Sequence, residues 1–253
     1  FIYWIFLISF SNEQLNWGWA FWIYSFVGGL AQVLAMVSIL LSFSLRGFTV
    51  GTAYAKIETL MTAFFTIMLL GEEISSQVFF AIIISLAGVF ILSNSKSGKR
   101  LQDILFSWTD RSALYGLASA CLLGLSAVSY RGAALSMDAN GVLLPAASTL
   151  LVALAIQTTM MTAYLILREK GEISKVWRNR GKGLVVGLAS MLGSVGWFTA
   201  MTLQNAAYVR ALGQVELIFT FLTSVLIFRE RITKTEIAGT LLIVGGVLIL
   251  IVE

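Results

Sequence analysis

Glu58 and Glu216 stand where carboxylates are costly. Each sits inside an otherwise apolar run, "AKIETLMTAFFTIMLLGEEI" at 55–74 and "GQVELIFTFLTSVLIFRERI" at 213–232. Holding an ionisable group at the middle of a bilayer costs about 2.5–3.5 kcal/mol, so these positions call for a role. Two chemistries fit. A buried carboxylate attracts a cationic or zwitterionic ligand, and desolvation favours the protonated form of a carboxyl group, so it can load and release a proton as its surroundings change. Tyr54, Glu58 and Thr62 step by four along one helix face, while Glu216, Thr220 and Thr223 step by four and three along another. Lys56 lies about 200° around the helix from Glu58 and so does not pair with it there. It aligns with Gln214 in the second run and is placed to pair with a neighbouring helix.

The candidate substrate-binding or proton-coupling set is therefore Glu58, Glu216, Lys56, Gln214, Tyr54, Thr62 and Thr220. Gln32 and Trp197 join it from two further matched helices, on the expectation that they face the same cavity. The bland alternative is that the glutamates only tie helices together through interhelical hydrogen bonds, each worth about 1 kcal/mol. Glu72 and Glu230 read differently. They fall at the membrane edge in "GEEIS" and "RERIT", where negative charge beside a helix start is mildly favourable. Ser75 is an expected N-cap, and Thr233 with Glu236 fits a capping box, so this group reads as structural.

Other chemistries are excluded by what the chain lacks. With no histidine, Ser–His nucleophiles and zinc–His sites are not available. Asp103, Asp110 and Asp138 fall in loops or at helix ends, which rules out a buried aspartyl dyad, and no Gly-rich phosphate loop carries a lysine. An enzyme is not expected, nor is a metal or cofactor. Cys121 is the single cysteine, so no internal disulfide can form.

The elements that must position these residues are long and apolar. Of 253 residues, 58% are apolar and 12% charged, with mean hydropathy +0.89. Runs near twenty residues match a helix crossing ~30 Å of hydrocarbon. Spans are expected at about 18–44, 48–70, 75–93, 112–133, 141–167, 183–204, 207–228 and 235–252. The alternation of a β-barrel is missing, so the fold class is an all-α polytopic membrane protein. The glycines suggest close helix contacts, with Gly116, Ala120 and Gly124 on one face and Gly183 and Gly187 on another. Basic residues cluster at Arg46, 96–111, 168–182 and 229–234, against only Arg131 and Arg210 in the opposite loops. That bias puts the first set in the cytoplasm and argues against nucleic acid as a partner.

The chain is also written twice. Shifted by the 158 residues that separate Glu58 from Glu216, "GLAQVLAMV" (29–37) meets "GLASMLGSV" (187–195) without a gap. Thr62 meets Thr220, Glu72 meets Glu230, Ile74 meets Ile232 and Gly88 meets Gly246. Four glutamates in register are not explained by hydrophobicity. Five spans separate equivalent points, so the copies cross in opposite senses and form an inverted repeat. The first copy covers 1–95, a connector 96–111 and the second copy 112–253. Residues 1–10 match the end of the 141–167 helix and reach ~15 Å. The first copy is thus expected to begin about 45–50 residues ahead of Phe1, leaving about eight and a half of ten helices. A chain with natively fewer spans is the alternative. The connector is expected to begin flexible and to end in an amphipathic piece on the membrane surface.

The paired stretches "KIETLMTAFFTIMLLGEEIS…LAGVFIL" and "QVELIFTFLTSVLIFRERIT…VGGVLIL" resemble the EamA family of the drug/metabolite transporter superfamily. The resemblance implies two inverted five-helix units, a central cavity and export of small metabolites without ATP, from the plasma (inner) membrane. Amino acids or amphipathic compounds suit an anionic site alongside Lys56, with protons as a coupling ion; the lipid bilayer is the expected surrounding. A passive channel or a non-transporting scaffold is the rival reading. Two departures stand out. Thr59 and Leu217 occupy positions where the family usually has proline after the central Glu, and Arg229 replaces the glycine kept at Gly71. Lacking those prolines, the two helices are expected to run straighter.

Overall fold

The computed structural model describes residues 2–10, 17–45, 54–97, 111–139, 141–169, 171–227 and 233–252. Most of the described residues are helical, and the long helices follow the apolar runs. In order they form α1 (Ile2–Phe10), α2 (Trp19–Ser44), α3 (Glu58–Phe65) continued by a π-helical turn (Thr66–Leu70), α4 (Ser76–Ser97) and α5 (Arg111–Leu135). Then come α6 (Leu143–Arg168), α7 (Glu172–Arg178), α8 (Arg180–Leu203), α9 (Ala206–Gly213), α10 (Val215–Leu226) and α11 (Lys234–Val252). Five are long and apolar enough to cross a membrane: α2, α5, α6, α11 and the Gly183–Leu203 part of α8. By contact the chain divides into two compact units, Phe1–Val33 with Ser129–Gln204, and Leu34–Val128 with Asn205–Glu253.

In the first unit, α1 lies on α6, where the Trp4 indole N–H donates to Ser148 Oγ at 2.9 Å. Phe21, Ala133, Met137 and Val152 form its core, with Trp17, Tyr24 and Ile156 packed around them. Helix α8 touches α6 and α7 but leaves most of its surface open, Leu184, Val185, Val186 and Leu192 included. Gly183 and Gly187 have nothing within 4 Å of where a Cβ would sit. The close contact expected there is not made, because the face that carries them meets no other helix among the described residues.

The second unit is built around a crossing of the repeat-equivalent helices α4 and α11. A Cβ on Gly88 would lie 2.6 Å from the Gly239 carbonyl oxygen and 2.9 Å from the Ile243 nitrogen. A Cβ on Gly246 would lie 2.8 Å from the Ala81 carbonyl oxygen and 3.0 Å from the Ser85 nitrogen. The second set is the first with the copies exchanged, since the 158-residue shift carries Gly88, Ala81 and Ser85 onto Gly246, Gly239 and Ile243. Contacts that advance along one helix as they retreat along the other belong to antiparallel helices. A local two-fold axis therefore passes through this crossing, and only the missing side chains let the backbones approach so closely. On another flank, Gly124 of α5 sits against α3, where a Cβ would stand 2.7 Å from the Thr62 nitrogen.

The spans expected at 48–70 and 207–228 are not continuous α-helices. Each is interrupted at the same repeat position, at Lys56–Ile57 and at Gln214. At both breaks the hydrogen bonds shorten to the three-residue pattern: Ile57 N–H to Tyr54 O at 3.1 Å, and Leu217 N–H to Gln214 O at 3.0 Å. This corrects the expectation of straighter helices. A break does not need proline if tertiary bonds to polar side chains offset the strained turn, and Lys56 and Gln214 both make such bonds. Such tight turns within a helix often mark a hinge.

Past α3, the π-turn ends at Gly71, whose φ of 64° is the left-handed conformation that glycine takes at least cost. Ser75 Oγ then accepts the Val78 N–H at 3.2 Å, and Thr233 and Glu236 exchange bonds between side chain and backbone ahead of α11. Glu230 lies outside the described residues. So does most of the connector, although α4 runs on to Ser97 through part of what reads in sequence as a flexible start.

Candidate functional site

The two helix breaks of the second unit bring six polar side chains together. Lys56 Nζ donates to Glu216 Oε1 at 2.5 Å. Arg210, on α9, places Nη1 3.6 Å from Glu58 Oε1, and both of these side chains are about four-fifths buried, at 19% and 18% exposed. Gln214 is buried and donates from Nε2 to Thr59 Oγ1 at 2.8 Å. Its Oε1 is sealed from solvent without a hydrogen-bond partner. Turning the amide over would only move the deficit to its nitrogen, because Thr59 Oγ1 can engage one end at a time.

Both ion pairs cross from one sequence copy to the other. Lys56 of the first copy holds Glu216 of the second, and Arg210 of the second holds Glu58 of the first. Each glutamate meets a base: Lys56 Nζ reaches Glu216, and Arg210 Nη1 lies beside Glu58. Arg210 was expected in an outer loop, but it lies inside α9 on the same face as Gln214, four residues on. Its mate under the 158-residue shift is Thr52, so the repeat offers no charged counterpart that would have marked it. An arginine within an apolar run is itself the signal, on the same argument that singles out Glu58.

The remaining candidates scatter. Tyr54 is buried against Ala113, Ile57 and Leu117, with its ring 6.3 Å from that of Phe90. Thr62 is fully buried, and its hydroxyl donates back to Glu58 O at 2.8 Å along its own helix. Both are taken up by packing, toward α5 in the case of Thr62. The side chain of Thr220 lies outside what is described. Glu72 is half-buried in the segment ahead of α4.

Gln32 and Trp197 belong to the other unit. There Gln32 Oε1 accepts from the Tyr130 hydroxyl at 2.7 Å and from Gln157 Nε2 at 2.8 Å, while Trp197 lies half-buried on α8. Arg131, expected in a loop, lies within α5. Its Nη1 donates to Met201 O at 2.6 Å and to Gln204 O at 2.7 Å, closing the C-terminal end of α8. A cation at that end also suits the helix dipole.

Comparison with known proteins bears on the family and the fold. The profile of the EamA-like transporter family matches residues 111–252, more than half of the chain. A solved structure described only as "Crystal structure of protein" superposes with a TM-score of 0.73 over 98% of this chain and 83% of its own, at 18% identity. At that identity the likeness concerns the fold alone. The search of curated proteins returned no match.

Proposed function

The chain belongs to the EamA-like transporter family, multi-pass membrane proteins that carry small molecules. From that premise we propose that it is a secondary carrier exporting small metabolites, such as amino acids or amphipathic compounds, across the plasma (inner) membrane by alternating access. The observation that carries this reading is the pair of crossed ion pairs, Lys56–Glu216 and Arg210–Glu58, set at matching helix breaks. Each joins one inverted copy to the other, so the copies part only where a pair has opened. A zwitterion serves as the key. Its carboxylate competes for Lys56 and Arg210, and its ammonium for Glu58, Glu216 and the unpaired end of Gln214.

The substrate thus replaces the bonds it breaks, and the empty carrier stays closed by the bonds it keeps. This is differential binding between states, the condition for any ligand-driven shift. Protons supply the coupling: one delivered to Glu58 or Glu216 removes the charge and frees the facing cation. Mid-span binding at broken helices is where inverted-repeat carriers place their sites.

The test is counterflow in proteoliposomes holding the purified full chain, with a panel of labelled amino acids. Uptake accelerated by unlabelled substrate inside, and lost in Glu216→Gln, is the expected result. Uptake indifferent to internal substrate assigns a passive channel, and no uptake of any compound assigns a scaffold.

A further inference from the structure

The first unit holds a polar cluster that takes no part in the ion pairs. Gln32 on α2, Tyr130 on α5 and Gln157 on α6 close a triangle of hydrogen bonds. Tyr130 Oη donates to Gln32 Oε1 at 2.7 Å, and Gln157 Nε2 donates to both Gln32 Oε1 and Tyr130 Oη at 2.8 Å. The triangle is rigidly seated. Tyr130 is 95% buried, its ring lies 4.6 Å from that of Phe198, and Gly28 backs it so closely that a Cβ would fall 2.7 Å from a ring carbon.

Counting donors and acceptors shows what is left over. Gln157 donates from its amide nitrogen and keeps its carbonyl oxygen; Gln32 accepts at its oxygen and keeps its NH2. If both amides are turned over, the spare groups exchange, and one donor and one acceptor still remain. Both residues are half-buried, and neither spare atom is among the sealed polar atoms without a partner. The spare donor and acceptor are therefore open to a ligand at the edge of the triangle, while the three bonds hold the side chains that carry them.

We infer that the Gln32–Tyr130–Gln157 cluster is a binding site for a neutral carboxamide group. A carboxamide offers an acceptor to the spare NH2 and a donor to the spare carbonyl at once. A carboxylate turns a lone pair on the Gln157 carbonyl, and an ammonium turns its hydrogens on the Gln32 NH2, so each charged group satisfies only half of the pair. The fixed Tyr130 hydroxyl holds both glutamines in place, which limits the ordering cost of capture.

The test uses three probes that share a ring and differ in head group: benzamide, benzoate and benzylamine. They are added to the purified full chain in detergent, with melting temperature and the side-chain NH2 resonances of 15N-glutamine as readouts. Benzamide should raise the melting temperature and move the Gln32 resonance, while the two ions do neither. Gln32→Leu and Gln157→Leu should each weaken the benzamide response about tenfold, and Tyr130→Phe, which keeps both spare groups but loosens them, should weaken it less. A benzamide response no larger than that of the ions in the unaltered protein overturns the inference, and needs no variant to fold. A response that survives both leucine variants overturns it as well. Neither readout involves flux, so the outcome stands apart from that of the carrier reading.

Discussion

Glu58→Gln separates a gate from a strut. The substitution keeps the shape of the side chain and removes its charge, leaving Arg210 without the carboxylate 3.6 Å away. At an effective dielectric constant near 20, unit charges at that separation attract by about 4–5 kcal/mol. Part of this is recovered as the remaining cation rehydrates, and both side chains are about one-fifth exposed, so a net loss of about 2 kcal/mol is expected. For a chain of this length that lowers the melting temperature by about 4–8 °C. Removing the cation as well, in Glu58→Gln with Arg210→Gln, should restore most of the stability. Transport divides the two roles. In vesicles with a proton gradient, both variants should lose concentrative flux by more than about tenfold, because coupling needs a carboxylate that takes up a proton. If Glu58→Gln still concentrates substrate at the original rate, proton coupling through this residue is wrong. If the double variant regains flux along with stability, the pair is a strut.

Four further outcomes follow from the same geometry. Lys56→Glu or Glu216→Lys alone should abolish counterflow, whereas the exchange of both should recover part of it; no recovery in a folded double variant would remove the pair from the gate. Gly88→Ala and Gly246→Ala should each cost about 1–2 kcal/mol in thermal melts, overpacking outweighing the helix preference of alanine, while Gly245→Ala, with nothing within 4 Å, serves as the neutral control. Arg131→Met should release the carbonyls that end α8, at about 2 kcal/mol, and speed hydrogen exchange at 201–205. On α7, the Glu172 carboxylate is hydrogen-bonded to Lys175 and raises that ammonium above its ordinary pKa of 10.5. What this exposed pair contributes is present below the ordinary pKa and lost as pH climbs above it, so a small drop in melting temperature for Lys175→Met near neutrality should shrink toward zero at pH above the ordinary value.

Pairing of the acids accounts for charge inside apolar runs without an extreme penalty, because a paired ion loses less on leaving water than a lone one.

How much of this the sequence determined can be traced residue by residue. Hydropathy placed α2, α5, α6, α8 and α11 to within a few residues, because the length of an apolar run is a local property and the bilayer sets the same length for each. The 158-residue register aligned Gly88 with Gly246 and Lys56 with Gln214, because the two copies keep the same requirements. What the sequence did not hold was partnership. That Lys56 reaches Glu216, that Arg210 sits against Glu58, and that Arg131 closes α8 depend on which helices cross and at what height. The same holds for the breaks themselves, which long-range bonds sustain without proline, and for Gly183 and Gly187, small residues that meet no neighbour among the described residues. Local pattern decides where a helix forms and what it carries; only packing decides which charge it meets, because that distance runs through space and not along the chain.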